Sequence, residues 1–301
     1  MAVSSFAYQV FATVVERHTF LAAATALNIT PSAVSHSISQ LENQLGFPLF
    51  IRRRTGVTLT ADGETVYPII QDILNSEHRL TQEAANINGL TQGTLRLGAF
   101  SSVLLNWLPG IIREFHQAYP EINVSIYQGN FNDIAERVRL GTLDVGFSAL
   151  PIEENVQIHA LIKDEIFCIT PKDYVPKNGQ VVTSNDVANQ TFILQQSDYD
   201  RDTKLTLDRY NVTPNSLTYS VDDASIISMV EAGLGFGVLP DLALKRVTGD
   251  VNIYPFDEPH YRTLCVVANK SLATAPTTTK MMQVIHQQLL AQYGQQLLWQ
   301  K

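Results

Sequence analysis

The sequence predicts an α/β protein in three parts: a small helical head with a hairpin, one long helix, and a larger region in which strands alternate with helices. Three observations carry this reading. Apolar residues of the first sixty positions recur at helical steps with almost no strand signal. Residues 61–90 hold an apolar seam at alternating steps of four and three. From Thr91 onward the pattern becomes short apolar runs separated by amphipathic stretches, with no fixed repeat. A chain of 301 residues is long for one compact core, which agrees with several domains.

In the head, Phe6, Val10 and Val14 mark a first helix, and Phe20, Ala23, Ala24 and Leu27 a second that starts at Thr19 and stops near Asn28. A third helix takes Thr30 as N-cap and Pro31 at its first position, where the missing N–H costs nothing. Its buried stripe is Val34, Ile38, Leu41 and Leu45. The short link between the second and third helices is a helix-turn-helix connection. The next segment, FPLFIRRRTGVTLT, alternates apolar residues around an Arg-rich turn, as a two-stranded hairpin or wing would.

The opposite stripe of the third helix is Ser32, Ser35, His36 and Ser39, short hydrogen-bonding side chains where a solvated helix usually carries Lys and Glu. Such a face, starting at Thr30 and Pro31, lets a backbone come close to base edges in the major groove. A merely solvated face is the competing reading. The turn before it and the arginines after it favour DNA. Arg52, Arg53 and Arg54 on the wing would reach phosphates or an adjacent minor groove, positioning the head more than specifying sequence.

Charge distribution agrees. The whole chain carries −8, against a general polyanion binder, while residues 1–60 hold four Arg against Glu16 and Glu42, a local +2. So few charges release few counterions, and firm binding needs two copies.

The long helix, capped by Thr60, places Val66, Ile70, Ile73, Glu77, Leu80, Ala84 and Ile87 on one seam with a single polar position. Two readings stay open: packing against the chain's own domain, or dimerisation with a second copy. Pro68 is expected to bend the helix or displace its first turn. Beyond it, strands are expected at Leu95–Ala99, Asn123–Tyr127, Asp144–Ser148, Glu165–Thr170, Phe192–Gln195, Leu217–Val221, Gly235–Leu239 and Leu264–Ala268, with a closing helix in TTTKMMQVIHQQLLAQY. Ile226, Ile227, Met229 and Val230 read as core.

Composition bounds the rest. At 45% hydrophobic and 17% charged residues the chain is expected to fold nearly throughout. No basic leader with an apolar stretch opens it and no run of eighteen apolar residues occurs, so a cytoplasmic protein without membrane contact is expected. Cys168 and Cys265 lie in the apolar runs IFCIT and TLCVV, which points to buried, inert thiols and to neither a disulfide, a metal site nor a redox switch. No cofactor is implied. An enzyme is the first alternative, but GxSxG, HExxH and Walker patterns are missing, and Gly233, Gly235 and Gly237 follow a helix and enter a strand, the reverse of a dinucleotide-binding turn. A transport solute-binding protein is the second, against which the DNA-binding head argues.

FLAAATALNITPSAVSHSISQLENQLGFPLF, a basic wing and LTADGETV together resemble the winged helix-turn-helix of LysR-type transcriptional regulators. LLNWLPGIIREFHQAYPEINVSI, LDVGFSALP and VEAGLGFGVLP resemble that family's effector domain, so the resemblance spans essentially the whole chain. It departs from the common pattern at His36 and Ser37, where many members carry Arg or Gln, and in its three consecutive wing arginines.

The resemblance implies a DNA-binding head (1–60), a dimerising linker helix (61–90) and a two-lobed, periplasmic-binding-protein-like (type II) effector domain (91–301). Lobe I would take 91–163 and 269–301, and lobe II 164–268. It also implies a homodimer or homotetramer, a small-molecule co-inducer between the lobes, and RNA polymerase as a partner. Ser101 and Ser102 stand where a strand passes into a helix, and N-terminal N–H groups attract anions; a serine there is commonly only a cap. The resemblance places the effector at that spot. By the same carry-over Asn130, Phe131, Ser148, Gln196, Asp222 and Phe236 would face the cleft, and a carboxylate-bearing metabolite would suit it.

Overall fold

The computed structural model describes residues 4–88, 92–195, 201–212, 216–219, 222–246 and 248–299. The first compact unit takes in the chain up to Asn88, and the second the bulk of the remaining chain.

In the first unit, α1 (Ser5–Arg17), α2 (Phe20–Leu27) and α3 (Pro31–Leu45) begin where local chemistry dictates. Ser4, Thr19 and Thr30 cap them by accepting hydrogen bonds from Phe6, Ala22 and Ala33 N–H groups. Asn28 and Gly46 end α2 and α3 in the left-handed region. Val34, Ile38 and Leu41 of α3 are fully buried against Val10, Phe11, Val14, Ala23 and Ala24, and Leu45 packs at the margin of that core. The hairpin comes next as β1 (Phe50–Arg53) and β2 (Gly56–Leu59), antiparallel with Arg53 opposite Gly56.

Helix α4 (Ala61–Ile87) is capped by Thr60 and runs through Pro68 without ending. The seam expected along it divides. Val66 and Ile70 pack into the head's own core, whereas Ile73, Leu80 and Ile87 stay exposed, Leu80 by 70% and Ile87 by 83%. Exposed Ile69 joins them, so Ile69, Ile73 and Leu80 line a shallow apolar groove edged by Asp72, Ser76 and Glu77.

The second unit is built on one six-stranded sheet. Its strands, in chain order, are β3 (Gly93–Ala99), β4 (Ile122–Gln128), β5 (Val145–Ala149), β6 (Gln157–Pro171), β9 (Gly237–Pro240) and β10 (Val251–Ala268), arranged β4-β3-β5-β10-β6-β9. β3 pairs in parallel with β4 and β5, and β10 runs antiparallel to both β5 and β6. α5 (Ser101–Asn106), α6 (Leu108–Ala118), α7 (Phe131–Leu140) and α12 (Pro276–Tyr293) belong to lobe I, whose core joins Leu97, Phe115, Phe147, Val266 and Ile285.

Lobe II has two cores, one on each face of its strands. Alternate residues of β6 point to opposite faces. Ile166 and Cys168 thus join Phe192, Phe236 and Phe256, while Phe167 and Ile169 meet Ile226, Ile227 and Val230 of α10 (Asp223–Glu231). β7 (Phe192–Gln195) and β8 (Ser216–Tyr219) form a small parallel pair linked to the main sheet by a bridge between Phe192 and Phe236. α8 (Ser184–Val187) and α9 (Arg201–Arg209) complete the lobe, and α11 (Asp241–Leu244) straddles the boundary, with Leu242 in the lobe I core and Ala243 and Leu244 in that of lobe II.

Each of the eight expected strands has a counterpart, but β6 and β10 run far beyond the expected lengths. The unforeseen half of β10, VNIYPFDEPHYRT, contains two prolines and two carboxylates, which weaken any strand signal. The strand tolerates them because its register with β6 jumps from Pro255 to His260, and Phe256 and Asp257 pair with Val182 instead. Since Leu264–Ala268 pairs with β5, the return from lobe II to lobe I falls inside β10, some residues ahead of the expected boundary at Asn269.

Gly63, in the first turn of α4, packs so tightly that a Cβ there would lie 2.4 Å from the Leu49 carbonyl oxygen. Gly63→Ala is therefore expected to cost the head about 1–3 kcal/mol despite alanine's better helix propensity. Calorimetry of the full chain should show the head's transition at a lower temperature, and an unchanged or raised midpoint would contradict this packing.

Candidate DNA-binding face and effector cleft

Pro31, Ser32 and His36 are exposed along α3, with Ser35 and Ser39 half-covered beside them. Thr30 divides its hydroxyl between capping Ala33 N–H and a 2.9 Å contact with Ser32 Oγ. This face presents hydroxyls and one imidazole with no long side chain to hold a partner away. Ser37, on the inner side, is buried.

The wing is fixed to this helix by a residue that sequence reasoning passed over. Glu42 of α3 accepts hydrogen bonds from Leu49 N–H at 2.7 Å and Phe50 N–H at 3.4 Å, so the strand leaving α3 hangs from its carboxylate. On the other side, Val57 N–H donates to the His18 carbonyl, and a Cβ at Gly56 would lie 2.6 Å from that oxygen. The three wing arginines then part company. All three are exposed, but Arg52 lies with its guanidinium 4.7 Å from the centre of the Phe20 ring, a cation–π contact across to α2, while Arg53 and Arg54 stand at the tip.

In the second unit, the ends of β3, β4 and β5 bring several expected residues together. Ser101 and Ser102 occupy the first two positions of α5, with Phe100 at the cap position and no side chain capping the helix. Gln128 Nε2 donates to Ser101 Oγ at 3.2 Å. Ser148 Oγ donates to the Phe131 carbonyl at 3.0 Å, and the Phe131 ring lies 4.5 Å from that of Phe100. Asn130 accepts Asp133 N–H at 2.7 Å, so its side chain starts α7.

The central member is one the sequence reading did not name. Arg262 of β10, its side chain 5% exposed, sits opposite Asp164 of β6, 2% exposed, with Nη2 and Nε each 2.8 Å from Oδ2. Its Nη2 also donates to Ser102 Oγ at 3.3 Å, and its guanidinium lies over the Phe100 and Phe131 rings at 5.5 and 5.7 Å. Asp164 accepts a further bond from Leu242 N–H at 2.9 Å. Burial pushes the Asp164 carboxyl up, against the opposing pull of Arg262 and the Leu242 amide.

Other expected site residues lie elsewhere. The Phe236 ring is buried in the lobe II core, 4.6 Å from Tyr174 and 5.7 Å from Phe192. Asp222 is exposed and caps α10 through Ser225 N–H at 2.8 Å, and the Ser225 hydroxyl together with this amide holds its carboxyl below the usual range. Gln196 falls outside the described residues.

Residues 7–64 match the bacterial regulatory helix-turn-helix proteins of the lysR family, and residues 88–290 match the LysR substrate binding domain. The chain belongs to the LysR family. It is a DNA-binding transcriptional regulator with an effector-binding domain. An uncharacterized HTH-type transcriptional regulator of Bacillus subtilis, YvbU, is 31% identical over 79% of this chain and 81% of its own length. Among solved structures, a full-length OxyR variant from Pseudomonas aeruginosa superposes with a TM-score of 0.74 at 23% identity, over 96% of this chain and 95% of that one. Full-length CbnR complexed with its target DNA gives 0.62 at 18% identity, over 95% and 99%. These likenesses extend the shared fold over both units of this LysR-family chain.

The wing arginines differ in what else they hold. Arg53→Ala or Arg54→Ala should each lower the slope of log K against log salt on duplex DNA by about 0.9 per copy. Arg52→Ala, which also removes the contact with Phe20, should in addition lower the head's melting temperature. A slope unmoved by Arg53→Ala and Arg54→Ala, or a melting temperature unmoved by Arg52→Ala, would overturn the assignment.

Both cysteines are fully buried in strands, and burial pushes their thiols up, that of Cys265 to about 12. At neutral pH the folded chain should therefore resist iodoacetamide and take up two equivalents only after unfolding; rapid labelling of the native protein would contradict this.

Proposed function

We propose that this LysR-family regulator acts as a dimer, reads its operator with the Thr30–Ser39 face of α3, and is switched by a small carboxylate-bearing metabolite held between the lobes. The observation that carries the effector reading is the convergence of Ser102 at the start of α5, Phe131 at the start of α7 and Ser148 near the end of β5 beside the buried Arg262 where the two lobes join. Hydroxyls, the uncapped first turn of α5 and the paired Phe100 and Phe131 rings suit a small planar or branched acid.

Two copies are drawn together by the exposed stripe Ile69, Ile73, Leu80 and Ile87 of α4, with Ala84 on the same side. Val66 and Ile70, committed to the head core, tie that stripe to the DNA-reading face. A ligand that prefers one arrangement of the lobes shifts their equilibrium, and through the dimer the spacing of two recognition helices on DNA. RNA polymerase is the expected partner of the DNA-bound form, and the cytoplasm the compartment. No helix among the described residues is long and apolar enough to cross a membrane.

The test is a thermal-shift screen of the full chain against small carboxylic acids, followed by footprinting on DNA from its own upstream region. One acid should raise the melting temperature and alter the footprint, and Ser101→Ala, which removes a hydroxyl whose oxygen accepts from Gln128 and whose proton can meet a carboxylate, should weaken its binding about tenfold, the effect of one lost hydrogen bond. DNA binding that no acid alters would overturn the carboxylate assignment and leave the DNA-reading head standing.

A further inference from the structure

The Arg262–Asp164 pair belongs to a closed ring of hydrogen bonds. Ser102 Oγ receives Arg262 Nη2, Arg262 meets Asp164, and Asp164 Oδ1 receives Leu242 N–H. Asn106 Nδ2 then donates both to the Leu242 carbonyl and to the Ser102 carbonyl, each at 2.8 Å. The ring joins α5 of lobe I to α11 at the boundary of the lobes, where Leu242 packs in the lobe I core and Ala243 and Leu244 in that of lobe II, and it passes through both strands that cross between the lobes.

Its placement on the strands is specific. Asp164 and Arg262 are register partners, so they share one face of the two crossing strands. Lys163, Glu165 and Tyr261 point the other way and line an open groove on the reverse side. Where a hinge needs to bend, this chain has instead put a buried ion pair. Charges removed from water in this way tolerate little misalignment, because any separation leaves an uncompensated charge in a dry site.

We propose that this ring is a lock on the lobe hinge, and that Ser102 is the member through which an occupant of the cleft acts on it. The proposal rests on the effector reading above only for the identity of the trigger; the lock itself is a property of the free protein. Arg262 and Asp164 are positioning residues. A cleft carboxylate that accepts the Ser102 O–H leaves a lone pair of Oγ for Arg262 Nη2, so an occupant adds itself to the ring at Ser102, and Asn106 ties the same helix turn to Leu242.

The experiment uses the full chain without ligand or DNA. Glu121→Cys and Asp173→Cys place nitroxides on exposed positions of the two lobes, since the native cysteines are buried, and dilution with unlabelled chain suppresses signals between copies. The wild-type background should give one narrow distance by double electron–electron resonance. The apolar exchange Asp164→Leu with Arg262→Met keeps the volume filled without the charges, and buried pairs commonly survive such an exchange folded. It should broaden the distribution or add a second distance while thermal unfolding stays cooperative. Asn106→Ala, which cuts only the arm to Leu242, should broaden it to a lesser degree and serves alone if the exchange does not fold. An unchanged narrow distance in the folded variants would overturn the lock, whatever ligand the screen finds or fails to find.

Discussion

Arg262 and Asp164 face each other across β10 and β6, the two strands that run through both lobes, and the arrangement of the second unit depends on that contact. Their side chains are almost wholly removed from water, with two donors of the guanidinium on one carboxylate oxygen and a main-chain N–H on the other. Removing one partner of such a pair typically costs about 3–5 kcal/mol, because the survivor stays buried and charged. Geometry at the crossing is therefore specified more sharply than apolar packing alone would specify it. Phe100 and Phe131, tilted against each other beneath the guanidinium, fix the same point from lobe I.

The head is organised on a different economy of contacts. Its chain ends and turns are closed by threonine caps and by one acidic side chain, Glu42, so that no long basic residue is needed to build the recognition face. Leaving that face to Ser, Thr and His lets the backbone approach a groove, and it limits the charge available for phosphates to the wing. With Arg52 engaged on Phe20, Arg53 and Arg54 carry the electrostatic reach at the tip, on a chain whose total charge is −8. One head is then a weak polyelectrolyte ligand, and affinity has to come from pairing heads.

How much of the molecule was legible in its sequence depends on the range of the interactions concerned. Thr19, Thr30, Thr60, Asn28 and Gly46 act within one turn of their own positions, so the caps and ends of α2, α3 and the start of α4 were readable. Ser102, Phe131 and Ser148 were found as strand-end residues next to helix starts, and they do meet. Arg262 was not, because its partner is 98 residues away. The signal available was faint: Arg262 adjoins the apolar run TLCVV, while Asp164 is hidden in the charged triplet Lys163–Glu165 ahead of IFCIT. Phe236 shows the opposite failure. The resemblance alone put it at the cleft, yet Gly235 and Gly237 are there because Thr191 and Ile226 approach the backbone, and the ring between them fills a core.

The linker helix shows why one sequence pattern supported two readings. Its seam is continuous in sequence, with Val66, Ile73, Leu80 and Ile87 spaced by seven, but the first turns of α4 lie against the head and the later ones do not. Val66 and Ile70 therefore lose their apolar surface to the chain's own core, and Ile73, Leu80 and Ile87 keep theirs. Because one rigid helix carries both halves of the seam, the orientation of a second copy on the exposed half is fixed relative to the recognition face by the buried half. In the dimer proposed above, intrachain packing and pairing are successive parts of one device, divided near Ile73 where the head core ends and the exposed stripe begins.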